Sequence, residues 1–140
     1  MKESSLTEKD IKPGDVYETE RCFSQDDFND FAALSGDDNP IHVNPEFAAE
    51  THFGATVAHG MLLYTGLKGF LQSLFPGSSQ LSHQMMFPSG TTAGETVRYR
   101  IEIIKLDPQK ETIKMKILMI RPCGKTGLDG ETLIKWEGLS

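Results

Sequence analysis

Asp37, Asn39, His42 and Gly60 fall within one continuous run, SGDDNPIHVNPEFAAETHFGATVAHGM (Ser35 to Met61). These are residue types that move protons and steady a developing negative charge. Asp37 and His42 share a tight segment with Gly36 before them and Pro40 between. Pro40 fixes its own φ and pushes Asn39 toward an extended conformation, so the segment aims a carboxyl group and an imidazole with little chain entropy left to lose. A carboxyl beside an imidazole is a general acid/base pair. Asn39 both donates and accepts, and suits the task of orienting either partner or a water. Gly60 opens a long apolar helix, where backbone N–H groups lack intrahelical partners and carry the positive end of the dipole. Such a position suits an oxyanion. Each residue alone has a blander reading: Asp37, Asp38 and Asn39-Pro40 as turn residues, His42 as a satisfied core histidine, Gly60 as a helix start. Their joint occurrence is what points to a site. Asp38, one position off, is read as solvent-facing or as a cap.

The elements that must hold these residues follow from pattern and punctuation. Residues 1–15 read as an exposed lead-in ending in a Pro13-Gly14-Asp15 turn. Val16 to Phe23 suggests a strand. Ser24 with Asp27 forms an approximate capping box, Phe28, Phe31, Ala32 and Leu34 supply an apolar helix face, and Gly36 sits where a left-handed helix end wants glycine. Asn44-Pro45 starts a second short helix through Phe47, Ala48 and Ala49. The strongest helix runs from Gly60 to Leu74, with Leu63, Leu67, Phe70, Leu71 and Leu74 in one stripe that Met61 and Leu62 widen. Gly66 and Gly69 inside it are explained if strands cross closely there. Phe75-Pro76-Gly77 ends it.

Strands follow: Gln80 to Phe87, then Glu95 to Leu106 with Val97, Tyr99, Ile101 and Ile103 alternating against polar residues. Asp107-Pro108-Gln109-Lys110 forms a hairpin turn, and Ile113, Met115, Ile117 and Met119 alternate on the return. A glycine-rich loop, Pro122 to Gly130, precedes a last strand with Thr132, Ile134 and Trp136. Helices early and antiparallel strands late make an α+β domain, with the sheet curled about the long helix.

Composition narrows the function. The 140 residues, 38% hydrophobic and 24% charged, fit one ordinary domain over 1–140. A formal charge of −6 argues against a nucleic-acid partner. No apolar run approaches the roughly 20 residues of a membrane span. The polar N-terminus lacks a signal-type segment, and Cys22 and Cys123 lie in no metal or redox spacing, so a cytoplasmic protein with free thiols is expected. No His/Cys/Asp spacing suggests a metal, and no glycine-rich phosphate loop suggests a nucleotide. His52 and His83 have no partner identifiable from sequence.

SGDDNPIH, followed by Phe53-Gly54 and Ala58-His59-Gly60-Met61, resembles the hydratase motif of the MaoC-like, (R)-specific enoyl-CoA hydratases: an Asp, Asn-Pro two residues later, and a His five after the Asp. The similarity extends loosely from Pro13-Gly14-Asp15 to Gly94-Glu95. It implies a single hotdog domain, an antiparallel sheet wrapped around a long central helix, that adds water to a trans-2-enoyl thioester to give the (R)-3-hydroxyacyl product, or runs in reverse. By that resemblance Asp37 and His42 hold the water, and His42 takes its proton during attack on C3. Asp37 then protonates C2, Asn39 orients the pair, and the Gly60 N–H holds the thioester oxygen. His59 belongs to the motif and reads as structural support. The implied substrate carries CoA or an acyl-carrier protein, with no cofactor besides, and the implied assembly is a homodimer or higher homo-oligomer joined edge to edge. Lys68, Arg98 and Arg100 are candidates for the CoA phosphates. Two departures stand out. Pro88 to Ala93 (PSGTTA) lacks the family's Pro-Val run with Glu95 in place of its Asp, and the long Pro122 to Gly130 loop is atypical in composition; both bear on acyl length. The alternatives are a non-catalytic hotdog subunit of a lipid- or sterol-processing complex, or an acyl-CoA thioesterase.

Overall fold

Period-two and period-3.6 patterns in the sequence become a sheet and a helix that share one core. In the computed structural model, which describes residues 11–139, the order is β1 (Val16–Cys22), α1 (Gln25–Ser35), α2 (Pro40–Val43), α3 (Pro45–Ala49), α4 (Gly60–Leu74), β2 (Ser79–Met86), β3 (Thr96–Asp107), β4 (Thr112–Ile120) and β5 (Thr126–Lys135). The strands pair antiparallel in the order β1-β3-β4-β5-β2. The inward set of β3 (Val97, Tyr99, Ile101, Ile103) and that of β4 (Ile113, Met115, Ile117, Met119) are fully buried, and they meet Leu63, Leu67, Phe70, Leu71 and Leu74 of α4 in one cluster. Each such side chain contributes about 1.5–3 kcal/mol on leaving water. The sheet thus closes around α4, the α+β arrangement expected. Among the described residues no helix is long and apolar enough to cross a membrane.

Close packing decides which glycines are required. A Cβ on Gly66 would sit 2.5 Å from the Tyr99 hydroxyl oxygen, and that hydroxyl donates to the Leu63 carbonyl at 2.6 Å. The sheet therefore lies against the helix at Gly66. Gly69 has no neighbour within 4 Å, so the crossing expected there is absent.

Other expectations are corrected. Of the lead-in, residues 1–10 lie outside the described residues, and Ile11 is buried in the core rather than exposed. Leu34 is 84% exposed. It lies about 120° around α1 from Phe28, beyond the buried face. Met61 is 54% exposed, because it is turned about 120° from Leu67 and so leaves the stripe that Leu62 does widen. The glycine-rich loop is shorter than predicted, since β5 already begins at Thr126. Gly127 and Gly130 are strand residues: a Cβ on Gly130 would come 2.1 Å from the Gln84 carbonyl oxygen across the β2–β5 ladder. Glycine here marks close backbone approach and not a loop. Trp136 follows β5, donating from Nε1 to the Pro76 carbonyl at 3.1 Å.

Candidate active site

The segment between α1 and α2 is shaped by side chains capping backbone. Ser24 and Asp27 form the reciprocal capping box that starts α1, and Gly36, at φ 82°, ends it in the left-handed conformation. The chain then reverses through Asp37, whose N–H donates to Ser35 Oγ at 3.1 Å. Asn39 Oδ1 accepts from the Ile41 N–H at 3.0 Å and starts α2, with Pro40 as its first residue. The Asn39 N–H donates to Asp37 Oδ1 at 3.4 Å. Asn39 therefore touches the carboxylate through its backbone, while its side-chain oxygen holds the helix that carries His42. Asp38 is exposed.

His42 Nδ1 lies 2.7 Å from the Val57 carbonyl oxygen. A carbonyl only accepts, so Nδ1 bears the proton and the neutral ring presents its Nε2 lone pair. That Nε2 is 3.8 Å from Asp37 Oδ2, with the His42 side chain 14% exposed and that of Asp37 57% exposed. The gap is wide enough that a water at hydrogen-bond distance, about 2.8 Å, from both atoms fits beside them.

The residues from Ala55 to His59 are pinned on two sides. The Val57 N–H donates to the Ile41 carbonyl at 3.1 Å, and the Ala58 N–H to the Thr91 carbonyl at 2.8 Å. Gln25 ties α1 to both: its Nε2 donates to the His42 carbonyl at 2.9 Å, and its Oε1 accepts from Thr56 at 2.6 Å. No sequence signal marked Gln25, Thr56 or the Val57 carbonyl, because each acts through contacts made only after folding.

Gly60 follows as the first residue of α4, and among the described residues its N–H donates to no protein acceptor. A cleft of about 410 Å³ is lined by Phe31, Ser35, Asp37, His42, His59, Gly60 and Met61. Three of the four predicted site residues (Asp37, His42 and Gly60) thus meet in one cleft, and Asn39, outside its lining, touches Asp37 through its N–H. On its other side Gly60 borders a second cleft of about 340 Å³ with Phe53, Val57, Leu63 and Phe87 among its walls. The Phe87 ring lies so close that a Cβ on Gly60 would be 2.7 Å from it. Glycine at this point leaves room for the Phe87 ring, which a side chain would have to displace.

The departing segment from Pro88 to Glu95 is braced by Arg121. Its guanidinium grips Glu95 twice, at 3.0 Å each, and Ser89 Oγ at 3.2 Å. Burial by itself raises the Glu95 carboxyl, but the hydrogen bonds and charge of Arg121, with the Thr92 N–H, outweigh it and hold the group below the usual carboxylate range. The Arg121 guanidinium is raised in turn by its bonds to Glu95. Glu95 is therefore a structural strut for the wall that carries Phe87.

The remaining histidines also find neighbours. His52 packs on Phe53 at 4.0 Å, and His83 meets Tyr64 edge-on at 5.2 Å. Burial, then the charge of Lys68, lowers the affinity of His83 for a proton. Among the candidates for phosphate contact, Arg100 pairs with Glu102 at 3.4 Å, while Lys68 and Arg98 are exposed.

Asp37, His42 and His59 offer three ligand atoms within 4.8 Å of one another. A metal needs lone pairs that converge at about 2.0–2.2 Å. The two imidazoles are stacked instead, 3.8 Å apart and 21° from parallel, so their in-plane lone pairs run side by side. The set is better shaped for proton transfer than for coordination.

Residues 7–120 match the family model described as MaoC like domain. The chain is 30% identical over 128 residues to an (R)-specific enoyl-CoA hydratase of Rhodospirillum rubrum, covering 90% of this chain and 88% of that protein. It is 32% identical over 114 residues to a mitochondrial 3-hydroxyacyl-acyl-carrier-protein dehydratase of Arabidopsis thaliana, covering 81% and 69%. Among solved structures, the (R)-hydratase from A. caviae involved in PHA biosynthesis superimposes with a TM-score of 0.85 at 29% identity, over 90% of this chain and 97% of that one.

Proposed function

Because this chain belongs to the MaoC-like domain family, we propose that it is a hydro-lyase adding water to a trans-2-enoyl thioester to give the (R)-3-hydroxyacyl thioester, or removing it. The observation that carries the reading is the His42 ring, locked by the Val57 carbonyl so that its basic nitrogen faces Asp37 across 3.8 Å. With the thioester oxygen on the Gly60 N–H, C2 and C3 enter the cleft of Asp37 and His42. His42 Nε2 takes a proton from water as its oxygen bonds to C3. The C2=C3 electrons shift toward C1, and the Gly60 N–H stabilises the enolate oxygen. The proton taken by His42 passes to Asp37 and from its carboxyl to C2, which returns both groups to their starting state. Asn39 supports both groups, through Asp37 Oδ1 and the start of α2.

The thiol carrier is CoA or an acyl-carrier protein, and the chemistry calls for no cofactor beyond it. A homodimer is proposed on the edges of the sheet. β1 guards its free side with Glu18, Glu20 and Arg21, whereas β2 (SQLSHQMM) carries no Asp, Glu, Lys or Arg and exposes Leu81 and Met86. An unguarded edge of this kind seeks a partner strand. Cys22 and Cys123 are exposed and unpaired, which suits a reducing cytoplasm.

The test is to add protein to crotonyl-CoA, follow loss of the enoyl-thioester absorbance, and determine the product's handedness with an (R)- or (S)-specific dehydrogenase. Rapid loss with (R)-product supports the reading. No loss with short, medium and branched enoyl thioesters on either carrier would remove it. Light scattering of the same sample reads the oligomer, and a monomer that turns over at full rate would remove the dimer.

A further inference from the structure

His59 is 3% exposed, yet its side chain does nothing for the helix it precedes: it is the N-cap residue of α4 and makes no cap hydrogen bond. Its Nε2 instead lies 2.8 Å from the main-chain carbonyl of Asp37. Only a donor fits there, so the His59 proton is on Nε2, the opposite tautomer to that of His42. The two rings stack at 3.8 Å, and Phe31 closes the far side of His59 edge-on at 4.9 Å. His59 Nδ1 is buried and meets no hydrogen-bond partner among the described residues. A ring needed only to fill space would be cheaper as phenylalanine, and one needed only as a donor would be cheaper as an amide.

We infer that His59 is a positioning residue of the hydration reaction. It sets the acid by its hydrogen bond to the Asp37 backbone and sets the base by giving the His42 ring a flat surface. This rests on the assignment of Asp37 and His42 as the reacting pair. Without His59 the His42 ring keeps its single bond to Val57 and can rotate about it. Among the described residues Asp37 then keeps the bond of its N–H to Ser35 Oγ and that of its Oδ1 from the Asn39 N–H, both on the same exposed segment. Both reacting groups then lose their shared reference point, and displacements of about 1 Å at a proton-transfer site cost on the order of 10²-fold in rate.

Two variants separate the contributions. His59→Phe keeps the stacking surface and removes the donor, and His59→Gln keeps a donor and removes the ring. Each is expected to lower kcat by about 10- to 100-fold with KM within about threefold, since His59 supports geometry and does not bind the thioester. Wild-type kcat in both variants, with only the thermal midpoint lowered, would overturn the inference and reduce His59 to packing. A measurement on the unaltered protein covers the case in which a variant fails to fold. Nitrogen-15 NMR of the ring nitrogens should find the proton on Nε2 of His59 and on Nδ1 of His42. His59 protonated on Nδ1 alone would overturn the inference by itself. If Asp37→Asn and His42→Ala both keep full turnover, the hydratase reading fails. If they lose it while the His59 variants do not, only the inference about His59 fails.

Discussion

His42 donates from Nδ1 to the Val57 carbonyl at 2.7 Å, and this one bond decides which nitrogen of the imidazole is basic. Val57 belongs to neither α2 nor α4, but to the connecting segment that pairs with Ile41 on one side and, through Ala58, with Thr91 on the other. The tautomer of His42 is thus set by backbone whose position is determined by the fold.

Removing either of the proposed reacting groups tests that geometry directly. His42→Ala and Asp37→Asn should each lower kcat for enoyl-thioester hydration by about 10²–10⁴-fold, the usual worth of a positioned acid or base. Asp37 is exposed and both groups lie at a cleft, so circular dichroism melts should move little.

Gly60 should tolerate no side chain. In Gly60→Ala the new methyl meets the Phe87 ring at 2.7 Å, displacing either that wall or the helix start. Steady-state kinetics should show a fall in kcat/KM. The double variant Gly60→Ala with Phe87→Ala should recover part of it, giving a non-additive cycle. Strict additivity would mean that the ring and the glycine act separately.

Two glycines of α4 should answer oppositely to alanine. Gly66→Ala drives a methyl into the Tyr99 hydroxyl, and overpacking of this kind costs about 1–3 kcal/mol. Gly69→Ala meets nothing within 4 Å and should stabilise by up to about 1 kcal/mol through helix propensity. Urea denaturation of the two proteins reads the signs.

Glu95 gives the stability a pH dependence. Its carboxyl is held below its ordinary value of 4.5 in the folded protein, so its contribution is complete above that pH. The contribution is lost as pH falls from 4.5 through the lowered folded value. The difference in thermal midpoint between wild type and Glu95→Gln should therefore be largest near neutrality and shrink under acid. A difference that stays constant from pH 7 to acid would mean that the Arg121 pairing contributes nothing.

Much of this was legible in the sequence, where a local rule governs the outcome. Ser24 with Asp27, Asn44-Pro45 and Gly36 mark helix ends because capping is decided within three or four residues. The buried faces of β3, β4 and α4 follow from periodicity alone. SGDDNPIH names Asp37, Asn39 and His42 because proline and glycine constrain a short segment before any tertiary contact forms. The resemblance to MaoC-like hydratases rests on that run together with Phe53-Gly54 and Ala58-His59-Gly60-Met61.

Only tertiary structure could decide what depends on distant pairs. Gly127 and Gly130 read as loop, because nothing local reveals that the backbone of β2 passes within 2.1 Å of a Cβ position. Asn39 reads as a side-chain orienter of the pair, and the fold gives its side-chain oxygen to the start of α2. Glu95 reads as a departure from a motif until Arg121, 26 residues on, closes over it. His59 is named by the motif, but its bond to Asp37, 22 residues earlier, and its stack on His42 exist only after the start of α4 has docked against the loop that follows α1. Sequence determined which groups could do the chemistry, since residue type and local stiffness are properties of a short segment. Folding decided how each of them is held, since that is set by a carbonyl, a ring or a guanidinium supplied from elsewhere in the chain.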